Sequence, residues 1–108
     1  MKQEQLTQLL NELKEGLKKI YGARLKGLYL FGSYARREQD AGSDIDILVV
    51  LDRFDSTYSA EINRTGDFGS ELSLKYGVTV SKVFVKEADW IQKKTPFLDN
   101  VREEAIAA

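Results

Sequence analysis

The run Ile45–Leu51, "IDILVVL", constrains the fold more than any other part of this 108-residue chain. A strand with one wet face alternates apolar and polar residues. Here Ile, Leu and Val follow Asp46 without a break, so both faces must be covered, as in the interior of a sheet. The covering elements are legible on either side. Leu6, Leu9, Leu10, Leu13, Leu17 and Ile20 recur at helical spacing and predict an amphipathic helix over residues 4–21, with Gly22 as its stop. Residues 25–31, 44–51 and 78–85 read as three strands. A short helical turn is expected at 33–37, a loop at 38–43 and a second long helix from about Ser56 to Tyr76, against the preference of Gly66 and Gly69. Residues 87–94 read as helix, Pro96 forces a break, and "FLDNVREEAIAA" reads as a last helix. The expectation is a single domain over residues 1–108 of the α/β class, an α+β sandwich with a small mixed β-sheet flanked by helices.

Composition removes many chemistries. Cysteine and histidine are both absent, which excludes disulfides, Cys/His zinc sites, thiol nucleophiles and every His-based dyad or triad. Carboxylates, hydroxyls, Lys, Arg and Tyr remain, and the metals that suit them are hard ones, Mg²⁺ or Mn²⁺. A formal net charge of -1 gives no broad basic field, so nucleic acid as a partner stays open. The polar start "MKQEQLTQLL" does not read as a signal peptide, and no apolar run is long enough to span a bilayer. With 31% charged residues, a cytoplasmic protein with no membrane association is expected.

Chemistry concentrates in "LFGSYARREQDAGSDIDILVVLD", residues 30–52. Side chains alternate along a strand, so Asp44 and Asp46 share a face, their Cα atoms about 7 Å apart. Leu48 and Val50 follow on that face, leaving it wet at the tip and dry beyond. Two like charges at such a tip repel each other, and a pair of carboxylates there can hold one or two Mg²⁺ ions that cancel the repulsion. Upstream, beyond a spacer of ten residues, Gly32 allows close backbone approach, and Ser33 offers a hydroxyl that could cap the following turn, whose free N–H groups suit a phosphate. Arg36 could reach the same phosphates, or pair on the surface with Glu38 or Asp40. Each half has a bland reading: Gly-Ser pairs are mostly turns, and acidic residues often solvate strand ends. The two halves together, at this spacing, outweigh it. Tyr34 reads as packing, and Trp90 and Phe97 as core or partner-facing. Lys18, Lys19, Lys93 and Lys94 read as solvated.

Gly-Ser, a spacer of ten and Asp-x-Asp resemble the signature of the nucleotidyltransferase superfamily related to DNA polymerase β. The chain length resembles its minimal nucleotidyltransferase branch, many of whose members are antitoxin-like partners of helical HEPN-domain proteins. The resemblance implies the nucleotidyltransferase fold. It also implies Mg²⁺-dependent transfer of a nucleoside monophosphate, with AMP favoured, from ATP or another nucleoside triphosphate to a protein or nucleic-acid hydroxyl. Carried over by position, Asp44 and Asp46 would be catalytic metal ligands. Gly32 and Ser33 would hold the triphosphate, with Arg36 and Ser43 beside them. Two positions depart from the pattern. Arg37 stands where the family commonly has Gly. Catalytic members usually carry a third carboxylate on a later strand, whereas "VTVSKVFV" has none, and Ser81 is the expected substitute. A hydroxyl can ligate Mg²⁺ but is a poor base. The alternative is therefore a catalytically weak or inactive module that binds nucleotide or a partner. A second copy of the chain or a HEPN-type partner would complete the acceptor side.

Overall fold

The computed structural model describes residues 1–54 and 57–108. Its elements are α1 (Gln3–Tyr21), a 3₁₀ turn (Gly22–Arg24), β1 (Leu25–Phe31), α2 (Ser33–Arg36), β2 (Ile45–Leu51), α3 (Tyr58–Tyr76), β3 (Val80–Lys86), α4 (Glu87–Gln92), α5 (Pro96–Glu104) and β4 (Ile106–Ala107). Ser56, the expected start of the second long helix, lies outside the described residues. The helix is seen from Tyr58, with the Thr57 hydroxyl accepting the Ala60 N–H at 3.1 Å as its N-cap.

The strands form one mixed sheet in the order β3-β2-β1-β4. β1 runs antiparallel to β2 and to β4, while β3 runs parallel to β2 after the α3 crossover. β2 is interior, as its composition requires. Ile45, Ile47, Val49 and Leu51 face α1 and α3, packing with Leu9, Leu13, Leu17 and Leu72. Leu48 and Val50 face the other layer, with Leu98 and Val101 of α5. Five of these six β2 residues are fully buried, and the sixth, Val50, is 1% exposed. Each buried aliphatic side chain is worth about 1.5–3 kcal/mol of transfer free energy, so this strand anchors both cores.

Two local expectations change. Gly66 and Gly69 do not interrupt α3. A Cβ at Gly69 would run into the Lys82 ammonium, so the missing side chain leaves room for the β3 lysine beneath the helix. The last helix stops at Glu104, not at the Ala-rich end that local propensity favours. Ala105 turns extended, and Ile106 and Ala107 pair with Leu30 and Tyr29. The open backbone of β1, which local sequence does not reveal, outcompetes further helical turns. Among the described residues no helix is long and apolar enough to cross a membrane.

Candidate functional site

Because β1 and β2 are antiparallel, the end of one lies beside the start of the other, and Phe31 pairs with Asp46. Gly32 follows Phe31 with φ 75° and ψ -156°, a region open essentially to glycine alone. A Cβ on Gly32 would overlap the Asp46 carboxylate oxygen Oδ2 and sit 3.1 Å from its Cγ. The turn and the acidic pair, fourteen positions apart between Gly32 and Asp46, thus touch. Asp44 precedes the first β2 residue and is exposed, whereas Asp46 is half-buried.

Ser33 opens α2, but its hydroxyl makes no cap: Gly32 occupies the N-cap position. Arg37 ends the turn in the left-handed conformation, φ 58° and ψ 38°, and among the described residues no other non-glycine has positive φ. Such a conformation costs an L-residue about 1–2 kcal/mol, a physical reason for the glycine expected at this position. Ser43 is engaged in its own loop, accepting the Asp40 N–H at 3.0 Å and donating to Asp40 Oδ1 at 3.3 Å. Ser81 pairs in register with Asp46 on the parallel neighbour β3. Phe31, Asp46 and Ser81 therefore line up across three strands at one edge of the face that α5 covers.

A side chain missed by sequence reasoning also enters this edge. Glu104, the last residue of α5, accepts the Gly32 N–H through Oε1 at 3.2 Å and the Arg36 guanidinium through Oε2 at 2.7 Å. Arg36 also donates to Glu38 at 3.2 Å, the sequence-local partner expected for it. No spacing signal could have found Glu104, which lies 72 positions from Gly32.

The charges respond to this crowding. Burial pushes the Asp46 carboxyl above its ordinary value; the Asp44 charge adds to the push, Arg36 opposes it and Glu104 contributes a little more. Glu104 moves the other way, held down by the Arg36 guanidinium and helped by the Gly32 N–H. The Asp44–Asp46 edge is thus an electronegative set of hard oxygen donors, half-buried at Asp46 and open to solvent at Asp44, which fits a divalent cation. Among the described residues no three acidic side chains are grouped so as to hold a metal by themselves. Mg²⁺ commonly binds through one or two carboxylates with water and substrate phosphate completing the shell, so two aspartates suffice. A cavity of about 620 Å³ lies elsewhere, between α3 and the β3 edge beside Leu74 and Lys82. It brings none of these groups together.

The four-stranded mixed sheet flanked by helices, with a Gly-Ser turn against an Asp-x-Asp strand, defines a nucleotidyltransferase fold. The chain belongs to the nucleotidyltransferase domain family, whose model matches residues 10–107. It resembles several Methanocaldococcus jannaschii proteins provisionally named protein adenylyltransferases. One is 46% identical over 106 residues, covering 94% of this chain and 92% of the relative. Another is 37% identical over 97 residues, covering 88% and 89%. Two solved structures share the fold. A toxin-antitoxin crystallised with AMP-PNP superposes with a TM-score of 0.63 at 22% identity, covering 90% of this chain and 69% of that one. A provisionally assigned nucleotidyltransferase from Sulfolobus solfataricus superposes with a TM-score of 0.62 at 20% identity, covering 96% and 82%.

Proposed function

We propose that this protein transfers AMP from ATP to a hydroxyl on a partner protein, with Mg²⁺ held at Asp44 and Asp46. The observation that carries the reading is the contact of Gly32 with Asp46, which sets backbone without a side chain against the half-buried member of the acidic pair. Gly32, Ser33 and Arg36 would hold the triphosphate, Asp44 and Asp46 the cation. A bound cation would offset the negative charge of the phosphates and the repulsion between the aspartates. The acceptor hydroxyl oxygen bonds to the α-phosphorus as the α–β phosphoanhydride bond breaks; pyrophosphate leaves, and the hydroxyl proton passes to water. Relatives provisionally named protein adenylyltransferases favour a protein acceptor. The toxin-antitoxin structures of the same fold favour a toxin as that acceptor; the family resemblance makes a HEPN-type helical protein the expected kind.

The pairing of Ser81 with Asp46 supports a second reading. The strand neighbour of the acidic pair is a hydroxyl where the family resemblance calls for a carboxylate. The domain would then bind nucleotide and a partner with slow transfer.

Thermal melts with and without Mg²⁺ and ATP test the binding site. Wild type should be stabilised by the two together, and Asp46→Asn should lose that shift. Asp46→Asn should also melt higher than wild type without metal, because burial and Asp44 disfavour the charge it removes. An unchanged wild-type melting temperature at millimolar Mg²⁺ and ATP refutes the reading. Transfer of labelled AMP to a co-expressed helical partner tests the reaction. If wild type binds ATP but transfers slowly, and Ser81→Asp raises the rate on the 10²–10⁴-fold scale of general-base catalysis, the second reading holds.

A further inference from the structure

The triphosphate-holding groups named above are already engaged by an anion. Glu104 takes the Gly32 N–H with one carboxylate oxygen and the Arg36 guanidinium with the other, at 3.2 and 2.7 Å. A backbone N–H and a guanidinium converging on two oxygens of one anion is also how a phosphate is gripped. Arg102, two positions earlier, lies on another side of the helix and is held by Asp99 and the carbonyls of Asp89, Trp90 and Lys93, so Arg36 is the guanidinium that Glu104 meets. Asp46 lies against the same glycine, so two carboxylates crowd one turn. The contact lies where α5, anchored by Leu98 and Val101, gives way to β4, which adds two residue pairs to β1, with the Ala108 N–H donating to the Leu28 carbonyl at 2.9 Å beyond them.

We propose that Glu104 is an internal stand-in for a nucleotide phosphate, a latch that the triphosphate must displace from Gly32 and Arg36 before it can bind. This rests on the nucleotide-binding reading of the same edge. When a phosphate arrives, the Gly32 N–H and the Arg36 guanidinium exchange one anion for another. The Glu104 side chain then swings away from Asp46, relieving the crowding of the carboxylates.

The test is calorimetric titration of ATP, without metal and then with Mg²⁺, into wild type, Glu104→Ala, Glu104→Gln and the control Glu103→Ala. Glu103 is exposed and removes the same charge one residue away. The Gly32 amide resonance is followed in parallel. Arg36 is 45% exposed, so solvent screens the pair and the gain is modest. Glu104→Ala should bind ATP about three- to tenfold more tightly than wild type, with or without Mg²⁺. Glu104→Gln should fall between, and Glu103→Ala should match wild type. The Gly32 resonance should move on Glu104→Ala and again on adding ATP. Equal affinity for wild type and Glu104→Ala overturns the latch and leaves the nucleotide site standing. Weaker Mg²⁺-ATP binding by Glu104→Ala, with metal-free binding unchanged, also overturns it, because Glu104 is then a metal ligand. Equal tightening by Glu103→Ala overturns it in favour of bulk charge. Absence of ATP binding by every protein overturns the latch and the nucleotide site together.

Discussion

Replacing Gly32 by alanine separates the two demands made on that residue. Its φ of 75° and ψ of -156° fall where only glycine is at ease, and forcing an L-residue there costs about 1–3 kcal/mol. Alanine returns about 0.4–1 kcal/mol by restricting the unfolded chain. The new methyl also overlaps Asp46 Oδ2 and lies 3.3 Å from Asp46 Cβ. That oxygen is the end of a short side chain and can rotate away, so the overlap moves the carboxylate rather than unfolding the protein. The net expected cost is about 1–2 kcal/mol, a fall of roughly 5–12 °C in melting temperature for a domain of this size. Gly77→Ala is the internal control. Gly77 also has positive φ, 65°, but a Cβ there meets nothing within 4 Å. Gly77→Ala should lose stability on the same scale and keep ATP binding, whereas Gly32→Ala should lose both. Scanning calorimetry and ATP titration on the two variants read this directly. A Gly32→Ala protein that melts within about 2 °C of wild type and binds ATP equally well would refute the reasoning.

Two further perturbations probe what supports the edge. Tyr21 is buried beside Glu61, and burial together with that charge pushes its hydroxyl up from 10.0 to about 12. A folded value above the unfolded one means stability fully present below about pH 10 and lost as pH rises toward 12, about 2–3 kcal/mol in all. Urea midpoints across that window should therefore fall more steeply for wild type than for Tyr21→Phe, and parallel curves would rule the effect out. Thr95 caps α5, its hydroxyl accepting the Leu98 N–H at 3.1 Å. Thr95→Ala should cost about 1 kcal/mol, read as a lower urea midpoint at unchanged slope.

Local sequence determined the elements and the chemistry they carry. The Leu6–Ile20 stripe, the two-sided apolar β2 and Thr57 before its helix are patterns over a few residues, and short-range physics suffices to read them. Nucleotidyltransferase-family membership was legible for the same reason, since Gly32, Ser33, Asp44 and Asp46 all fall within fifteen consecutive positions. Only the tertiary structure decided what those residues meet. The antiparallel pairing of β1 with β2 brought Gly32 against Asp46, and the parallel α3 crossover set Ser81 beside it. Both depend on sheet order, which no local pattern encodes. The same holds for the end of the chain, where Ala105 to Ala107 favour helix by propensity but find an unpaired strand. Glu104 is the extreme case. By composition it is one more charged residue on a helix surface. It becomes the partner of Gly32 and Arg36 only because α5 packs Leu98 and Val101 onto β2 and so delivers its last residue to that edge.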